Sequence, residues 1–395
     1  MGIVNRRILS FFILLFYSIV LFSPMKVSAE ENLPTRVINV VYDDSGSMIR
    51  THQNNVDTWC QAKYSMEVFA AMLGERDTMN VYVMSDYDHG QTSAPPRLSL
   101  SGSDGSEANV AKVHNMITAA GNTPFNAVRK AYNDLANASA DEKWLVILTD
   151  GAFEDGAFTN QQVDEYLSVK DEDINVMFMG MGADAADITA SDEKHIYSEK
   201  AQNNAQILEK ITQICTRIFN SNKLQVDVSS GDFSFDIPMS EIVVFAQGDG
   251  VSIDGITDGN GSHISPDKKP VNVRYSETPS SKGYTEFIVD DKLNGYIATF
   301  RGDFAPGHYT ANVNAAQTVE VYYKPNVEIM LYLVDSEGQE VPYTDGVRSG
   351  DYEVKFGFVK AGTNEKVTQS TLLGDVKYDG AISFNHEEEK PCANG

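Results

Sequence analysis

The sequence predicts an α/β fold, a doubly wound and mainly parallel sheet, followed by all-β sandwich-like modules of immunoglobulin type. Three observations predict it. From residue 36 to 220, short β-branched runs alternate with helical patterns, as they do when helices cover both faces of a parallel sheet. From about Lys223 the grammar changes to period-two alternation between Gly, Asp and Pro turns. The composition, 42% hydrophobic and 22% charged over 395 residues, is globular and supplies apolar mass for two or three cored domains.

The first element is a secretion signal. Arg6 and Arg7 precede an apolar run from Ile8 to Phe22, and Val27-Ser28-Ala29 offers a small-residue cleavage site before Glu30. The run is short for a membrane span, which needs roughly 20 apolar residues. Cleavage after Ala29 removes Arg6, Arg7 and Lys26 and no acid, taking the net charge from -25 to -28. The mature chain is then expected to be secreted or at the cell surface, without stable membrane insertion. Either it is released, or the coding region continues past Gly395 to an anchor.

Residues 30–222 form the expected α/β domain. Its strands fall at Val37 to Tyr42, Met79 to Met84, Leu98 to Leu100, Trp144 to Leu148, Ile174 to Met179 and briefly around Ile196. Helical stripes are carried by Val56, Trp59, Cys60, Met66, Phe69 and Leu73, by Val110, Val113, Met116 and Ile117, and by Phe125, Val128 and Leu135. A last helix carries Leu208, Ile211, Ile214, Cys215 and Ile218.

Residues 223–325 are the expected sandwich-like domain, with strands at Phe233 to Ile237, Ile242 to Phe245, Val271 to Val273, Phe287 to Val289, Tyr296 to Phe300, Tyr309 to Val313 and Val319 to Tyr323. Lys324-Pro325-Asn326 marks a boundary. Residues 326–395 open a second β module at Val327 to Val334 and Tyr352 to Phe356, too short for a complete sandwich of about 100 residues.

Charge and cysteine use exclude several function classes. With 31 basic against 56 acidic residues, the chain repels phosphate backbones, so no nucleic-acid partner is expected. Its three cysteines, Cys60, Cys215 and Cys392, are far apart, so neither a disulfide-dense scaffold nor a paired zinc motif is available.

The chemistry concentrates at strand ends. Asp43-Asp44-Ser45-Gly46-Ser47 follows the first strand, where ligands of open parallel sheets sit. Its DxSxS spacing puts a carboxylate and two hydroxyls on one loop, hard oxygen donors suited to Mg²⁺ or Mn²⁺. Thr123 opens a later helix, and Asp150 in Thr149-Asp150-Gly151 ends a strong strand. Read singly, these are a polar turn, an N-cap before proline and a strand-ending turn. Their order and spacing together resemble the metal-ion-dependent adhesion site of von Willebrand factor A domains, over about residues 35 to 221. The resemblance implies that Ser45, Ser47 and Thr123 supply hydroxyl oxygens, while Asp43 and Asp150 contribute directly or through water. Pro124 and a short second loop depart from the family's usual rim.

The resemblance also implies a function. Two carboxylates balance a divalent ion, and neutral hydroxyls leave it electrophilic toward a Glu or Asp presented by a partner protein. An extracellular adhesion or binding protein is the expected reading, with the β modules as spacers, and a scaffold subunit of a surface assembly is its alternative. A hydrolase using Asp43 or Ser45 is disfavoured, because the chain has no GxSxG elbow and its Asp43-Asp44-Ser45-Gly46-Ser47 stretch lacks the second Asp of a DxDx(T/V) phosphatase, so no enzyme is expected.

Weaker candidates remain. Asp86 and Asp88 stand where they could line the rim, although a solvated loop is the plainer reading. Arg301-Gly302-Asp303 spells a tripeptide that some integrins bind, for which chance is the better explanation. Asp254, Asp258 and Asn260 make a Gly/Asp-rich loop without the closing Glu of a calcium loop. The family resemblance makes Cys60 and Cys215 neighbours, either as a disulfide or as two buried thiols.

Overall fold

In a parallel strand buried on both faces, alternate residues must satisfy two different cores. The run Arg36–Tyr42 does this: Ile38, Val40 and Tyr42 enter one apolar cluster, and Val41 enters the other. The computed structural model describes residues 35–50, 52–53, 56–118, 121–151, 153, 160–182, 188–219, 222–224, 226–274, 294–341, 352–367, 381–384 and 388–391. The expected signal peptide and the strand expected at Phe287 to Val289 lie outside the described residues.

In chain order the first layer comprises β1 (Arg36–Tyr42), α1 (Gly46–Arg50), α2 (Thr58–Met72), β2 (Asp77–Val83), β3 (Leu98–Ser101), α3 (Ser106–His114), α4 (Asn126–Ala136), β4 (Glu142–Thr149), α5 (Asn160–Ser168), β5 (Ile174–Met181), β6 (Ile196–Ala201) and α6 (Asn204–Ile218). The strands form one sheet in the order β3-β2-β1-β4-β5-β6. Every neighbouring pair is parallel except β2 with the edge strand β3. The core on one face includes α2, α3 and α6; the other includes α4 and α5. Strand order reverses between β1 and β4, which opens a crevice beyond their carboxyl ends.

The second region contains β7 (Asn222–Leu224), β8 (Asp232–Phe235), β9 (Met239–Gln247), β10 (Ser252–Asp258), β11 (His263–Ile264), β12 (Val271–Arg274), β13 (Asn294–Phe304), β14 (Gly307–Asn314) and β15 (Thr318–Pro325). They pair antiparallel into two sheets, β8-β14-β10-β11 and β12-β13-β9-β15-β7. Phe233, Phe235, Ile242, Val244, Phe300 and Val321 belong to the sandwich core. The opposite face of the five-stranded sheet packs in large part against the α/β region. Val243, Phe245, Val273, Ile297 and Tyr322 join the same apolar cluster as Trp59, Tyr64 and Phe69 of α2. Two hydrogen bonds pin that contact: Tyr64 Oη donates to Gln247 Oε1 at 2.9 Å, and the Arg274 amide donates to Glu67 Oε2 at 2.9 Å.

A third sheet runs Glu340–Val341, Val327–Val334, Glu353–Lys360 and Lys366–Val367 in that order, and Ala381–Phe384 pairs with Glu388–Pro391.

Several element readings are corrected. Val56 lies in a two-residue strand paired with His52–Gln53, so α2 starts at Thr58. Met116 and Ile117 fall beyond α3, whose last residue is His114, and Ile117 is exposed. Helix α5 was not expected, since its buried apolar positions Val163 and Leu167 are too few to show a period. The stretch read as a loop around Asp254 belongs to β10, where a bulge between Ile253 and Gly255 breaks the alternation.

Candidate metal centre

The chain leaves β1 through Asp43, whose amide donates to Leu148 O of β4 at 3.0 Å, so the two strand ends are joined where their loops begin. The next loop turns tightly because the Asp43 carboxylate caps its own turn, with Oδ1 accepting from the Ser45 amide at 2.9 Å. Oδ2 of the same carboxylate accepts from Thr149 Oγ1 at 2.6 Å. Ser45 Oγ lies 2.9 Å from Ser47 Oγ, and Ser47 Oγ donates to Asp150 Oδ1 at 3.0 Å. Asp43, Ser45, Ser47 and Asp150 therefore form one connected cluster.

The loop that carries Thr123 reaches the same end of the sheet through the backbone of Gly121. The Gly46 amide donates to Gly121 O at 3.3 Å, and Thr123 is buried two residues further on. Apolar packing adds a second link: Phe125, after Thr123, meets Phe153, after Asp150, edge to face at 5.1 Å.

Electrostatics give the cluster its character. Burial, and secondarily the Asp150 charge, push the Asp43 carboxyl up to about 7. Burial also raises Asp150. Among the described residues neither carboxylate is ion-paired with Lys, Arg or His. Two buried like charges beside hydroxyl oxygens fit a small hard dication. No group of three or more His, Cys, Asp or Glu converges among the described residues, so any ligand set here must lean on hydroxyls.

Other residues hold the loops, and sequence spacing did not single them out. Thr149 orients Asp43, and Asp44 turns away from the cluster to accept from Ser85. Gly121 matters for its missing side chain. A Cβ there would lie 2.5 Å from Asp88 Oδ2 and 2.9 Å from Ser85 Cα, a backbone atom. Gly121→Ala is therefore expected to push the Thr123 loop outward, lowering Mg²⁺ affinity about tenfold and stability by about 1–3 kcal/mol. Calorimetry and thermal melts check this, and wild-type values in both would refute the tight approach.

The weaker candidates find other roles. Asp86 is ion-paired with Arg97, and Asp88 accepts from the Asn122 amide. Arg301 and Asp303 lie within β13, bound to Glu241 and Lys360 respectively. Asp258 Oδ1 accepts from the amides of Asn260 and Ser262 and closes a turn. Cys60 and Cys215 are buried in one apolar cluster with no disulfide between them.

No protein-family model matches the sequence, and no curated protein matches it. Among solved structures, a von Willebrand factor type A protein from Catenulispora acidiphila is 13% identical, covering 83% of this chain and 66% of that one with a TM-score of 0.33. The PilB minor pilin from Streptococcus sanguinis is 15% identical over 47% of this chain and 61% of its own, TM-score 0.33. The manganese-loaded TRAP protein of Plasmodium vivax is 12% identical over 51% and 85%, TM-score 0.31. The chain thus spans under two thirds of the first two.

Proposed function

We propose that this chain is a secreted or surface-exposed, non-catalytic binding protein that holds Mg²⁺ or Mn²⁺ at the crest of its α/β sheet. It engages an Asp or Glu side chain of a protein partner there. Asp43, Ser45, Ser47, Thr123 and Asp150 would hold the ion. Once bound, a dication with an exchangeable coordination position accepts a carboxylate oxygen from outside. The chain's own residues prepare that event. Asp43 and Asp150 concentrate negative charge at one point, Thr149 and the Ser45 amide fix the orientation of Asp43, and the serine hydroxyls add oxygen without adding charge.

The observation that carries the reading is the pair of buried carboxylates, electrostatically opposed and without a cationic side chain among the described residues. Such a pair is costly by itself, and a divalent cation removes the cost. No helix among the described residues is long and apolar enough to cross a membrane.

The test uses residues 30–395, immobilised and offered to extracellular protein fractions with Mg²⁺ or with EDTA. We expect capture in Mg²⁺ only, competition by free glutamate-containing peptides, and silence in hydrolase panels. Capture indifferent to EDTA, or turnover that Ser45→Ala removes, would overturn the proposal.

A further inference from the structure

We infer that the segment Met84–Gly90 is a buttress that sets the position of the Thr123 loop, with Asp44 and Asp88 as its two positioning residues; this rests on the metal reading above. The segment sits outside the cluster, yet it is bonded to both loops that flank it. The buried Asp44 carboxylate accepts from the Ser85 amide at 2.9 Å and from Ser85 Oγ at 2.6 Å. At the other end, Asp88 accepts from the Asn122 amide, 3.2 Å to Oδ1 and 3.4 Å to Oδ2. The Gly46 amide on Gly121 O completes the path. The result is a closed circuit: the Asp43 loop to Ser85, Asp88 to Asn122, and Gly121 back to Gly46.

The circuit has a physical reason. Residues 121–124 lie in neither helix nor strand, so their backbone groups find partners one by one: Gly121 O in the Gly46 amide, Pro124 O in the Ala127 amide, and the Asn122 amide in a side-chain carboxylate. A carboxylate accepting from an amide makes a charge-assisted bond, stronger than a neutral one. Asp44 and Asp88 are thereby occupied as braces, which separates them in role from the neighbouring Asp43.

The buttress is itself stiffened. Arg97 grips Asp86 through Nε at 2.9 Å and through Nη2, and its Nη1 donates to Ile117 O at 3.0 Å, on the approach to the Thr123 loop. Buried Tyr87 donates to Ala94 O at 2.7 Å. His89 and Gly90, at φ +58° and +79°, turn the chain back immediately after Asp88. Ser85 and Asp88 stand so close to Gly121 that the loop cannot move inward without meeting them.

Hydrogen exchange in metal-free protein and calorimetry with Mg²⁺ test the inference together. Asp88→Ala is expected to speed exchange of the Asn122 amide about tenfold and to weaken Mg²⁺ binding about tenfold. Asp88→Asn, which keeps one carbonyl acceptor, should restore most of both. Ser85→Ala, a milder change than removing buried Asp44, should accelerate Asn122 exchange from the far side of the circuit. Asp104→Ala, on a surface ion pair with Lys112, serves as the control and should alter neither. Unchanged Asn122 exchange in Asp88→Ala, or faster exchange with undiminished Mg²⁺ affinity, would overturn the positioning role. Absence of Mg²⁺ binding by wild type would instead defeat the metal reading, and the exchange measurements would still decide whether the buttress orders the loop.

Discussion

Asp150→Ala is expected, on the proposed metal reading, to lower Mg²⁺ affinity by at least about a hundredfold, because loss of even an outer partner of a metal ligand costs about 10–100-fold and Asp150 is one of two carboxylates in the cluster. The variant is expected to keep its fold. Ser47 Oγ loses its carboxylate acceptor but keeps the contact with Ser45 Oγ, and removing the Asp150 charge relieves Asp43. Calorimetry at fixed ionic strength, with a thermal melt to verify folding, checks the result. A folded Asp150→Ala protein with wild-type affinity would place the ion elsewhere.

Asp43→Asn acts in the opposite direction on stability. With EDTA present at pH 8, the variant is expected to be more stable than wild type, by up to about 4 kcal/mol for a rise from the ordinary carboxylate value to about 7. The sign follows from proton counting. Between about pH 4 and 7 the folded chain holds a proton at Asp43 that the unfolded chain releases, so wild-type stability falls as pH rises through that window and the full penalty is present above it. The gap between variant and wild type should therefore close near pH 4. An asparagine can keep the bond from the Ser45 amide, while its amide group can donate to Thr149 Oγ1, so the site need not rearrange. Saturating Mg²⁺, a hundredfold above Kd, should stabilise wild type by about 2.7 kcal/mol and the variant hardly at all. Melts across pH, with and without metal, measure both effects. A destabilised Asp43→Asn at pH 8 would show that the carboxylate is compensated in a way that burial and Asp150 do not describe.

The α/β sheet was legible because its strands are buried on both faces and so read as near-continuous apolar runs, Val37 to Tyr42, interrupted by Asn39, and Trp144 to Leu148 above all. The position of the cluster was legible for the same reason: Asp43 follows the first run directly, and Asp150 follows the second after Thr149. The boundaries of α2 and α3 were not, since Val56 and Ile117 continue the apolar period without continuing the helix. Spacing singled out Asp43 by its place in DxSxS but was silent on the role of Asp44 beside it. That role depends on the placement of Ser85, 41 residues further along the chain. Arg301-Gly302-Asp303 misleads for a related reason, because three letters carry no sign of the strand that holds Arg301 against Glu241.

The outer face of the five-stranded sheet is sealed against α2 by Val243, Phe245, Val273, Ile297 and Tyr322, with Tyr64 and Glu67 bonded across the seam. Among the described residues, tension arriving through those strands meets packed side chains. It must shear a whole patch of interlocked side chains at once, so mechanical rupture at this junction should be abrupt and all-or-none rather than a gradual peeling.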